Sequence, residues 1–93
     1  INMESLGTAI ARMLKIYGIE KPVRQNEVFF IWQDIVGEVI AKHAIPEKVA
    51  YNKLLVKVDS PVWRNELNFR KEEILKRINS QLKNAQIKEI ILR

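Results

Sequence analysis

Two periods of hydrophobic spacing meet between positions 54 and 67. Leu54, Val56 and Val58 alternate with Leu55, Lys57 and Asp59, the two-residue period of a strand with one buried side. After Ser60 and Pro61 the apolar positions Trp63, Leu67, Ile74, Ile78 and Leu82 follow helical spacing, and Leu75 widens their stripe. A strand therefore hands over to a helix predicted over residues 61–83, with Asn84 as its stop. Pro61 suits the first helical position, where its missing N–H would have no partner. Ser60 or Asp59 can cap the free N–H groups that follow.

The same reading extends along the chain. Leu6, Ile10, Met13, Leu14 and Tyr17 predict a first helix over residues 4–17, closed by Gly18 with apolar Ile19 just beyond. A second helix over residues 23–42 carries Val28, Phe29, Trp32, Ile35, Val36, Val39 and Ile40 on one broad stripe. Projected at about 100° per residue, Phe30, Gly37 and Ala41 cluster on its opposite side. Either the first helix packs closely there, or that side meets a partner or a second copy. Residues 44–51 predict a strand that tolerates Pro46 only at its start, and a tight turn at Asn52-Lys53 joins it to the strand at 54–59. Ile87 to Leu92, rich in β-branched residues, predicts a last strand beside this hairpin. The order is ααββαβ, an α+β class with a three-stranded sheet and helices packed on one face.

Composition narrows the function. The 93 residues suit a single domain spanning 1–93; Ile1 and Asn2 precede Met3, read as the natural start, and stay outside the fold argument as an appended remnant. With 47% hydrophobic and 29% charged residues the chain is globular, and the absence of a long apolar run or cleavable leader predicts a cytoplasmic protein. No cysteine and a single histidine, His43, leave little for a disulfide, a zinc site or a Ser/His enzyme. Ser60 reads as a cap rather than a nucleophile, and His43 as a structural hydrogen bond or cap at a helix end. No enzyme, cofactor, metal or small-molecule substrate is expected.

The net charge of +5 favours polyanions. On the last helix Glu66, Glu72 and Glu73 each stand four residues ahead of a base (Arg70, Lys76, Arg77), the spacing of self-neutralising pairs. That leaves Lys42, Lys48, Lys53, Lys57 and Arg64 as the candidate nucleic-acid contacts, against the reading of ordinary solubility charges. Trp32 and Trp63 invite base stacking. Both lie on apolar stripes, however, so with Leu67 they are assigned to the core, each indole N–H seeking an acceptor.

Four ordered pieces of the chain resemble one family. They are Trp32-x-x-Ile35-Val36-Gly37; Lys42-His43-x-x-Pro46; Leu55-Val56-x-Val58-x-Ser60-x-x-Trp63-x-x-x-Leu67; and Leu75-x-x-Ile78-Asn79. Together they resemble the DciA family of bacterial replicative-helicase operator proteins. The resemblance implies a KH-like domain, a role in bringing the replicative DNA helicase onto DNA, and weak affinity for DNA. Moving the last strand to the front gives the βααββα order of a common KH type, but no GxxG separates the first two helices, so backbone clamping of that kind is not carried over. The leading expectation is a non-enzymatic adaptor of helicase loading. A protein-interaction or self-association module and an RNA-binding protein are the alternatives.

Overall fold

The computed structural model describes residues 3–93; Ile1 and Asn2, read as a remnant, lie outside the described residues. Helices α1 (Met3–Ile16), α2 (Glu20–Gln25), α3 (Val28–Val36) and α4 (Glu38–His43) precede strands β1 (Ala44–Ala50) and β2 (Lys53–Val58). Helix α5 (Pro61–Gln81) and strand β3 (Glu89–Leu92) complete the chain. The sheet order is β1-β2-β3, with β1 antiparallel and β3 parallel to the central β2. This is the α+β class anticipated, and the arrangement is consistent with a KH-like ααββαβ order.

The period-two pattern of β2 places Leu54, Val56 and Val58 on the covered side of the sheet, where all three are buried. Val28, Trp32 and Ile35 of α3 and Leu67, Ile74 and Ile78 of α5 fill the space above them, joined by Ile40, Leu82, Ile87 and Ile90. Trp32 donates its indole Nε1–H to the Ala44 carbonyl at 2.9 Å, so the ring fills the core without leaving a buried donor unpaired. At the junction, Pro61 opens α5 and the Ser60 hydroxyl accepts the Trp63 N–H at 3.3 Å; Ser60, not Asp59, is the cap.

Several expectations are corrected. The second helix is not continuous over 23–42 but splits into α2, α3 and α4. Asn26 turns its side-chain amide onto the Pro22 carbonyl at 2.8 Å beside its own backbone N–H, and the following N–H groups tighten to partners three residues back, Glu27 to Arg24 and Phe29 to Asn26. Gly37 then adopts φ 91° and ψ 161°, a region essentially closed to other residues, and re-aims the chain. Phe29 and Val39, assigned to the apolar stripe, are consequently exposed.

The hairpin turn lies one residue earlier than read. Tyr51 and Asn52 both have positive φ, 53° and 65°, as the primed two-residue turn requires, and Ala50 pairs with Lys53 to close it. Pro46 sits inside β1 rather than at its start, which an edge strand allows, and the register shifts between Pro46 and Lys48. The last strand begins at Glu89, not Ile87, because the Asn79 side chain takes both backbone groups of Ile87, each at 2.8 Å. α5 ends at Gln81, and Asn84 adopts φ 55° in the turn beyond.

Helix α1 stops as its sequence predicts. Gly18 has φ 67°, its N–H reaches the Lys15 carbonyl, and the Ile19 N–H reaches that of Leu14, the paired bonds of a Schellman end. It does not, however, cover the side of Phe30, Gly37 and Ala41. Its main packing partner is α2, and Leu6, Ile10, Met13 and Tyr17 all remain exposed.

Candidate nucleic-acid interface

Residues directly opposed in an antiparallel pair project to the same side of the sheet. Ala44/Val58, Pro46/Val56 and Val49/Leu54 face the core, while Ile45/Lys57, Lys48/Leu55 and Ala50/Lys53 face away from it. The extra residue, Glu47, makes this possible. With unbroken alternation from Ala44, Lys48 would point into the core; the bulge turns it outward and Val49 inward. Each outward pair thus sets a lysine against an apolar side chain, and β3 adds Glu89 beside Lys53 and Ile91 beside Leu55.

The charges on this open side are only partly balanced. Glu47 is held by Arg93 in a forked pair, Nε to Oε1 at 2.8 Å and Nη2 to Oε2 at 3.4 Å, reaching across β2. Lys53, expected to be uncompensated, lies 3.5 Å from Glu89 Oε2. Lys48 and Lys57 have no carboxylate at ion-pair distance among the described residues, so they supply the open side's unbalanced positive charge.

Arg64 stands elsewhere. With Asn65, Asn68 and Lys71 it lines one wall of a groove of about 290 Å³ between α5 and β3, whose other wall is Glu89, Ile91 and Leu92. Arg64, Asn68 and Lys71 follow at intervals of four and three, one stripe of the helix beside its core stripe. That spacing is the signal by which Asn65 and Asn68, missed as candidates, were findable. Lys42 lies in the last turn of α4, off the sheet. The five cations proposed from the sequence therefore divide into three on the open sheet side, one in the groove and one on α4.

The aromatic candidates also separate. Trp32 and Leu67 are buried, whereas Trp63 is half-buried and stacks on His43 with ring centroids 4.8 Å apart. No protein acceptor meets its indole nitrogen among the described residues, contrary to expectation. Nδ1 of His43 lies 2.8 Å from Asp59 Oδ2; because a carboxylate only accepts, His43 donates. This histidine ties the end of α4 to the strand–helix junction and occupies one face of Trp63. Phe30 is 86% exposed on α3, Gly37 marks the break, and Ala41 packs partly against the core from α4. With the helix broken at Gly37, the projection that grouped these three on one side no longer applies. A Cβ at Gly37 would meet nothing within 4 Å, so the glycine serves its backbone angle rather than close approach. On α5 only Glu66 and Arg70 pair, at 2.7 Å; the Glu72–Lys76 and Glu73–Arg77 pairs do not close among the described residues.

Among the described residues no group of three His, Cys, Asp or Glu side chains could hold a metal ion, and no helix is long and apolar enough to cross a membrane. The family model described as "Dna[CI] antecedent, DciA" matches residues 5–92. The chain belongs to the DciA family. Its relatives include a UPF0232 protein of Streptomyces avermitilis, 33% identical over 90% of this chain and 48% of that protein. A UPF0232 protein of Streptomyces coelicolor is 32% identical over 92% of this chain and 46% of its own length. One from Corynebacterium glutamicum is 31% identical over 77% of this chain and 40% of its own. This DciA-family chain thus spans about half the length of the curated relatives it matches, and the match takes in the open sheet side and the α5–β3 groove alike.

Proposed function

We propose that this chain is a non-enzymatic, DNA-associated adaptor that assists loading of a bacterial replicative helicase, working in the cytoplasm. Family membership supports the helicase half. The observation that carries the DNA half is the open sheet side, where Lys48, Lys53 and Lys57 alternate with Ile45, Leu55 and Ala50. Lysines so spaced can follow a phosphate backbone while the apolar side chains between them lie under sugars and bases. Weak, sequence-tolerant binding is the expected result, because among the described residues none of the outward strand positions carries an aromatic ring on which a base could stack.

Anisotropy of a labelled single-stranded oligonucleotide across a salt series tests this. Replacing both Lys48 and Lys57 by glutamine should weaken binding and flatten the slope of log K against log salt by about 1.4, at about 0.7 per lost single-strand phosphate contact. Binding undetectable even near about 50 mM salt would remove the DNA half. Retention of the purified replicative helicase on the immobilised chain tests the other half independently.

A second reading, a protein-contact module, is favoured by Phe30, whose ring is 86% exposed on α3. Loss of helicase retention in Phe30→Asp, with oligonucleotide binding intact, would assign that contact to α3.

A further inference from the structure

We propose that the free edge of β3 accepts an extended acidic peptide from a protein partner as a fourth strand, seated in the groove walled by α5. This goes beyond the DNA reading and does not depend on it.

The two edges of the sheet are built differently. β1 carries Pro46, the bulge at Glu47 and outward Lys48, three devices that discourage another strand from pairing. β3 is Glu-Ile-Ile-Leu, with none of them. Arg93 directs its N–H to the Val56 carbonyl at 2.9 Å and accepts the Val58 N–H at 2.7 Å, so the alternation of a strand turns Ile91 and Glu89 to β2 as well and leaves the backbone groups of Ile90 and Leu92 at the unpaired edge. An extended peptide presents donors and acceptors in the matching order, which is the basis of strand addition.

Charge selects the occupant. Arg64 and Lys71 face the groove without an acidic partner among the described residues, and its one carboxylate, Glu89, is already held by Lys53. A second copy pairing edge to edge would bring its own Arg64 and Lys71 toward this pair, so like charges oppose that occupant. The groove is lined by no aromatic ring on which a base could stack, while the amides of Asn65 and Asn68 suit a peptide backbone or carboxylate. Alternate residues of an added strand, roughly 7 Å apart, face the same side. Acidic residues at alternate positions would meet Arg64 and Lys71, and apolar residues between them would extend the Leu55–Ile91 surface.

The test is a backbone-amide NMR titration of the whole chain with a blocked octapeptide of alternating glutamate and valine. Shifts should concentrate at residues 64–71 and 89–92, and exchange at the Ile90 and Leu92 amides should slow. The double variant Arg64→Glu, Lys71→Glu should weaken binding by about tenfold or more. Leu92→Pro, which deletes one edge donor and keeps the cations, should abolish it while the thermal transition persists; if that variant unfolds, amide exchange in the unaltered chain decides. No shifts at millimolar peptide, shifts outside the groove, or binding with unchanged exchange at both amides would each overturn the proposal. So would an eight-residue oligothymidine that fills the groove when the peptide does not.

Discussion

Gln25 has a buried side chain, 5% exposed, whose Nε2 donates to Asn52 Oδ1 at 2.9 Å and to the Gln86 carbonyl at 2.8 Å. One amide thereby holds α2 to the hairpin turn and to the connection between α5 and β3. Gln25→Leu keeps the volume and removes both donors, and urea denaturation should show a loss of about 1–3 kcal/mol from the unpaired acceptors. Nothing in the local sequence marks this role, because the partners lie 27 and 61 residues away. Trp32 was legible for the opposite reason. Its place in an apolar stripe is written within a few neighbouring positions, and only its acceptor, the Ala44 carbonyl, needed the fold. At the candidate site, Lys48, Lys53 and Lys57 were legible as charges near a hairpin, but the Lys53–Glu89 pair requires the parallel register of β2 and β3.

At the scale of elements, hydrophobic spacing located the strand–helix junction and its cap but missed the breaks between α2, α3 and α4. Helices α3 and α4 keep apolar side chains at the positions the unbroken pattern would use, so Val28, Trp32, Ile35 and Ile40 are core in either arrangement. The difference appears only in Phe29 and Val39, which the broken path leaves exposed. Gly37→Ala is the discriminating substitution. Space is available for the added methyl, yet the backbone angles at Gly37 disfavour any Cβ, so denaturation should report a loss of about 1–3 kcal/mol. A continuous helix would instead gain stability from the same change.

The whole molecule measures 50 × 25 × 19 Å, with a radius of gyration of 15.1 Å. A compact chain of this length would have about 12 Å. Helix α1 packs mainly on α2 and leaves its apolar side exposed. Its amphipathic pattern is nevertheless stronger than that of α5, because periodicity tells which side of a helix is apolar and not what covers it. Deleting residues 1–18 should therefore leave the unfolding free energy of the remainder within about 0.5 kcal/mol, read from denaturant midpoints with an unchanged helix–sheet signal. At this scale the net +5 was legible, but its division among the open sheet side, the groove and α4 was not, since it depends on strand pairing and on the break at Gly37.

The single surplus residue in β1 makes the hairpin tolerant of both identity and length at one point. Glu47→Ala loses an exposed ion pair and should shift stability by less than about 1 kcal/mol. Deleting Glu47 removes the bulge yet keeps the phase, because Pro46 and Lys48 already pair with the consecutive residues Val56 and Leu55, and should shift stability by less than about 2 kcal/mol in the same denaturation experiment. Natural relatives are then expected to vary at this point in the residue they carry and in whether they carry one at all.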